Sequence, residues 1–314
     1  MTTKSRAHQP PPPPPEKHQE PLPWCCPKPQ AEDPDAPHKI RTIMESATYV
    51  PADRDLDFLQ SDDTRSIRLQ LDYLKPELQL RRKGIQRTIV VFGSTRIQEP
   101  EAARRRVEQL RKTLARHPGD KILRQRLVVA ERILARSHYY GIARDLGRLV
   151  AEAAGGPADP RVVVMTGGGP GIMEAANRGA HDAGAQTVGL NISLPHEQFP
   201  NPYITPDLCF HFHYFALRKM HFLLRAAALV VLPGGFGTFD ELFETLTLVQ
   251  TRKIRPVPVV LIGEDYWKRV LDFEFMAEEG MIDPEDQDLF WYAESAEEAW
   301  QGISAWHRDN GTPI

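Results

Sequence analysis

Two glycine-rich strings in this sequence have the composition of anion-binding turns. The first, TGGGPGIMEAANRGA at 166–180, sets Gly167, Gly168, Gly169 and Gly171 between an apolar β-branched run and a helical pattern. Glycines let backbone N–H groups approach a phosphate closely, and a helix N-terminus adds unpaired donors and the positive end of its dipole. A tight strand-to-helix turn without a ligand is the alternative reading. The string is neither a dinucleotide fingerprint nor a P-loop. Its last glycine falls at the wrong offset, Asn191 stands where a ribose-binding acid is needed, and no Gly-Lys-Ser/Thr follows.

The second string, PGGFGTFDE at 233–241, again joins an apolar run to a helical one. Gly234, Gly235, Gly237 and Thr238 are expected to hold an anion, with Asp240 and Glu241 in the first helical turn. Acids there are favoured by the helix dipole and have a capping explanation. Beside a phosphate cradle an acid is electrostatically awkward, unless it faces a sugar on which positive charge develops. A further apolar run ends in Gly93 and Ser94. Glycine loops at strand ends of one parallel sheet share its C-terminal edge, where open α/β sheets bind ligands. Together they imply a nucleotide-like ligand with a phosphate.

His211 and His213 alternate with Phe210 and Phe212, as on a half-buried strand. No third ligand at suitable spacing accompanies them, so no metal is expected. Cys25 and Cys26 do not have metal or disulfide spacing, and Cys209 reads as a small core residue. No cofactor is expected.

The elements that must carry these residues alternate between strand and helix. Apolar runs at 88–92, 161–165, 187–192, 208–212, 228–232 and 256–262 are separated in part by helical patterns, with a short strand near 289–292 and a helix at 295–306. Continuous apolar strands alternating with helices predict a Rossmann-like, doubly wound parallel sheet of about six to seven strands. Between the first two strands lies a long helical insertion. It is read as a hairpin at about 101–136 turning at His117–Asp120, followed by the crossover helix. Residues 101–150 carry 13 Lys/Arg against 5 Asp/Glu, a basic surface for RNA or a polyphosphate, or a solvated helical face with an oligomer contact. Residues 41–84 are expected to form peripheral helices, interrupted at Pro76.

The chain has 314 residues and 28 prolines, with an unbroken run from Pro10 to Pro15. Residues 1–40 are therefore expected to be a disordered tail, and 85–314 one α/β domain. The net charge of −3 argues against a nucleic-acid coat, and no apolar run is long enough to span a bilayer. With no signal-peptide pattern, a cytoplasmic location is expected.

The string at 233–241 resembles the PGGxGTxxE signature of the LOG (Lonely Guy) family of cytokinin-activating phosphoribohydrolases. That family shares its fold with proteins long described as lysine decarboxylases. The string at 166–180 resembles the family's first glycine motif, and Phe215-Ala216-Leu217-Arg218-Lys219-Met220 its Arg-Lys segment. The likeness implies hydrolysis of the N-glycosidic bond of a nucleoside 5′-monophosphate, AMP or a related purine monophosphate, with a cytokinin riboside monophosphate as a further candidate. It implies Arg218 and Glu241 as the catalytic pair. Substrate contacts are implied at Lys219, at Gly234 through Asp240, at Thr247, and at Glu197 in the preceding loop. A homodimer or higher homo-oligomer is also implied. A non-catalytic carrier of a phosphorylated ligand is the alternative. A pyridoxal-dependent decarboxylase is not favoured, because no lysine is set for a Schiff base.

Overall fold

The computed structural model describes residues 26–153, 159, 161–195, 199–312 and 314. They divide into two compact units, the second beginning at Ile67. In the first unit, α1 (Ala36–Met44) has a proline in its first turn, where a missing N–H costs nothing. This helix starts inside the segment expected to be a disordered tail. α2 (Leu56–Gln60) is capped by Asp55, whose carboxylate accepts from Phe58 N at 2.9 Å. α3 (Arg65–Arg82) begins in the first unit and runs into the second.

The second unit continues with β1 (Arg87–Phe92), α4 (Pro100–Arg116), α5 (Lys121–Ala135), α6 (His138–Glu152) and β2 (Val162–Thr166). It proceeds through α7 (Ile172–Asp182), β3 (Thr187–Ile192), β4 (Cys209–Phe212), α8 (Phe215–Leu224) and β5 (Ala226–Val231). It closes with α9 (Phe236–Gln250), β6 (Val259–Ile262), α10 (Glu264–Val270), α11 (Phe273–Glu278), β7 (Trp291–Ala293) and α12 (Ala296–Asp309). The seven strands form one sheet in the order β4-β3-β2-β1-β5-β6-β7, every pairing parallel. Alternate residues of β1, β2, β5, β6 and β7 enter two cores, while β3 and β4 contribute apolar side chains to one of them. Ile89 and Val91 pack with Leu146 and Ala175 on one face; Val90 and Phe92 pack with Leu190, Phe222 and Leu242 on the other. Burial on both faces is why these strands read as continuous apolar runs.

The chain winds outward from β1 through β2, β3 and β4, then returns to place β5 on the opposite side of β1. The winding direction reverses between β1 and β5, and in such sheets the crevice for a ligand opens at that reversal.

α3 passes through Pro76, against the expected interruption. Packing overrides propensity here: the ring is buried, and the Tyr73 carbonyl accepts from His221 Nε2 at 3.1 Å. Glu77 forms a half-sequestered pair with Arg225 at 2.7 Å, and that hydrogen bond draws its carboxyl down to about 2.

α4 and α5 form the hairpin of the insertion. Asp120 caps α5, accepting from Ile122 N at 2.8 Å and Leu123 N at 3.0 Å. Val107, Leu110 and Ala130 make a small core of their own. α6 then crosses over and packs on α7 at contact distance. A Cβ at Gly147 would run into the Ala176 carbonyl, and one at Gly179 into that of Arg144. Gly179→Ala is therefore expected to destabilise the protein by about 1–3 kcal/mol, as an overpacked site does. Urea denaturation checks this, and an unchanged midpoint would refute the close crossing. No helix among the described residues is long and apolar enough to cross a membrane.

Candidate active site

At the reversal point the loops after β1 and β5 are tied together. Ser94 N donates to Pro233 O at 3.0 Å, and Leu232 N to Phe92 O at 2.9 Å. Above them lies a cavity of about 740 Å3. Its lining includes Gly93, Ser94, Arg218, Gly234, Gly235, Phe236, Gly237, Thr238, Phe239 and Glu241, all expected from the sequence.

α9 begins at Phe236, earlier than expected, with Gly235 as its N-cap. Asp240 and Glu241 therefore lie beyond the first turn, and the capping explanation for them falls away. The N–H groups of Phe236 and Gly237 are at the helix start, where they have no partner within the helix. Glu241 lies one turn further along and is buried, its relative exposure only 6%. Burial lifts its carboxyl to about 7, against the opposing pull of Arg218 and Lys219.

Arg218 comes from the first turn of α8. That turn is held from α3, where the Asp72 carboxylate accepts from His213 N at 3.1 Å and Tyr214 N at 2.9 Å. Arg218 Nε donates to Leu190 O at 2.7 Å, and Nη2 to Gly167 O at 3.5 Å. Nη1 is left 3.9 Å from Glu241 Oε1. The guanidinium lies over the Phe222 ring, 5.0 Å from its centroid. Desolvation lowers its pKa despite Glu241 nearby, yet an arginine stays charged in proteins. The cavity thus holds a buried cation beside a carboxyl group that titrates near neutrality.

The first glycine string has a different place. Gly167, Gly168, Gly169 and Gly171 do not line the cavity. Their loop follows β2, one strand away from the reversal, and its groups are engaged within the protein. Gly168 N donates to Thr166 Oγ1 at 3.0 Å, while Asn201 donates to the Gly168 and Gly169 carbonyls at 2.9 and 3.1 Å. Gly168 and Gly171 have φ of +73° and +75°, a region that L side chains rarely enter. A Cβ at Gly167 would strike Arg218 Nη2. This loop makes room for the arginine and anchors it.

Lys219, Asp240 and Thr247 also lie outside the lining. Lys219 Nζ is taken up by Asp240 at 2.7 Å and Glu244 at 3.3 Å. Thr247 lies on the exposed side of α9. Glu197 falls outside the described residues. His211 of β4 and His213 just past its end are exposed, while Phe210 and Phe212 are buried. No group of three or more metal-ligating side chains occurs among the described residues.

Other lining residues were not expected. Thr95 and Arg96 extend the loop after β1, and α5 with its C-cap brings Val129, Ile133 and Arg136. Tyr266 donates its hydroxyl to Gly234 O at 2.5 Å, and Arg136 lies 5.0 Å above its ring. Tyr266 sits just past the end of β6, so the strand-end position was a usable signal. The wall from the insertion had none.

Comparison with known proteins gives the family. The family described as "Possible lysine decarboxylase" matches residues 173–303, which include α8 and α9. A probable cytokinin riboside 5′-monophosphate phosphoribohydrolase, LOG4 of Oryza sativa subsp. japonica, is 30% identical over 167 residues, covering 52% of this chain and 68% of its own. The Arabidopsis thaliana enzyme LOG3 is 30% identical over 168 residues, covering 52% and 73%. A solved molybdenum cofactor binding protein from Rippkaea orientalis is 23% identical with a TM-score of 0.38, covering 54% of this chain and 87% of its own. On the extent and identity of the match to the plant enzymes, the chain belongs to the LOG family of nucleoside monophosphate phosphoribohydrolases.

Proposed function

We propose that this protein hydrolyses the N-glycosidic bond of a nucleoside 5′-monophosphate, AMP or a related purine monophosphate, to free base and ribose 5-phosphate. The observation that carries the reading is the buried Glu241 carboxyl, beside Arg218, one turn from a helix N-terminus in a single cavity. The 5′-phosphate is assigned to the Phe236 and Gly237 N–H groups, where the dipole of α9 favours an anion. From there the ribose extends toward Glu241. As the bond to the base breaks, the sugar gains oxocarbenium character, which an adjacent carboxylate stabilises. Glu241 then takes a proton from the water that adds to the sugar carbon. Arg218 holds ribose or phosphate oxygens with the donors left free by Leu190 and Gly167. Val129 and Ile133 supply an apolar wall for the base, suited also to the substituted adenines that the plant relatives' names indicate.

No lysine is among the described residues lining the cavity, and Lys219 is engaged by two acids. Both facts favour hydrolysis over Schiff-base chemistry. The homo-oligomer belongs to the same reading: Met220 and Leu224 of α8 are exposed apolar side chains, and a monomer mass by light scattering would count against it.

The test is incubation of the purified protein with AMP, GMP, IMP, CMP, UMP and an N6-isopentenyl AMP, with chromatographic detection of free base. Release from at least one purine monophosphate is expected. Binding without release from any of them would replace the hydrolase with a carrier.

A further inference from the structure

The hairpin of the insertion borders a second, open cavity of about 600 Å3, between α4, α5 and the loop after β1. Leu110, Ile122, Val129 and Ile133 give it an apolar floor. Arg96 from the loop, Arg106 from α4 and Arg126 from α5 line it together, and no acidic residue does among the described residues. Elsewhere on the same hairpin, acids are spent on other arginines: Glu101 pairs with Arg104, and Glu131 with Arg111 at 2.7 Å. Among the described residues, none of the three cavity arginines has an ion-pair partner.

Three exposed guanidinium groups lining one partly apolar groove give it a positive potential that an anion would match. A phosphate monoester, at roughly −1.5 to −2, leaves part of that charge unmatched. A diphosphate matches it better, and each planar fork grips phosphate oxygens in pairs. The apolar floor then suits a flat, weakly polar group attached to the phosphates. We infer that this second cavity binds a nucleoside diphosphate, with its phosphates on Arg96, Arg106 and Arg126 and its base on Leu110, Ile122 and Val129. Thr95, Arg96, Val129 and Ile133 belong to both cavities, so the occupant would sit against the wall of the first site. The inference does not depend on what the first site does.

Isothermal titration of the full chain with ADP and with inorganic pyrophosphate tests it. The wild type is expected to bind ADP more tightly than pyrophosphate. R106E/R126E, two changes at exposed positions, is expected to weaken ADP by about 30-fold or more, the range for reversing paired charges. Arg126→Gln should weaken it less, and serves should the double variant fold poorly. Absence of ADP binding by the wild type would overturn the inference. So would equal affinity in the wild type and the arginine variants. Equal affinities for ADP and pyrophosphate would remove the nucleoside from the assignment. Displacement of ADP by a short single-stranded RNA at lower concentration would make the groove a nucleic-acid surface instead.

Discussion

Glu241→Gln is expected to slow base release by about 10²–10⁴, the usual scale for a positioned acid or base. Glutamine keeps the shape of the side chain but can neither take a proton from water nor stabilise a sugar cation. The wild-type rate should fall as pH drops below about 7, because burial lifts the Glu241 carboxyl to that value and only the ionised form works. The variant should lack this limb. Stability runs the other way. From the ordinary value of 4.5 up to about 7, the folded state holds a proton that the unfolded state has released, so stability declines as pH rises through that window. Glu241→Gln should therefore be at least as stable as the wild type at pH 8. Rates within threefold of wild type, or an unchanged acid limb, would remove Glu241 from the mechanism.

Arg218→Ala is expected to cost about 10²–10³ in rate, the loss typical of a preorganised charged donor. A second effect separates a role in the site from a purely structural one. Arg218 holds the Glu241 carboxyl down against burial, so without it the acid limb should move to higher pH. Arg218→Lys should restore little. One ammonium cannot reach Leu190 O and Gly167 O while still facing Glu241. A variant with a slower rate but an unmoved limb would make Arg218 a packing residue.

The strands were legible because burial on both faces writes them as uninterrupted apolar runs, and a parallel sheet leaves its strand-end loops on one edge. Glu241 and the 234–239 loop were legible for the same reason. What a single sequence hides is strand order. Both glycine strings follow strands, yet only the one after β5 borders the reversal beside β1; the one after β2 anchors Arg218. Composition cannot separate a loop that meets a ligand from one that meets a guanidinium, since both need small residues. The start of α9 was misplaced because Phe236 and Gly237 are poor helix formers, though Gly235 caps the helix ahead of them. The burial of the Pro76 ring, which accompanies the continuity of α3, and the contact of the same helix with His221, far along the chain, are long-range facts. The wall made by α5 is likewise a long-range fact: nothing in the sequence around Val129 and Ile133 says what they face.

The central place of β1 shapes how the protein is made. β1 is made before the long insertion, meets β2 only after α4, α5 and α6 have been synthesised, and keeps its other edge open until Thr88 can meet Ala226. Until then the nascent chain carries an unpaired apolar strand edge, the feature that recruits strands from other chains. The cavity cannot exist in any partial form during that interval, because the loops that form it follow β1 and β5 and are held together only when those two strands pair. Synthesis of the long insertion prolongs the wait, so the helical hairpin that lines the finished site also lengthens the period in which the chain is most vulnerable to aggregation.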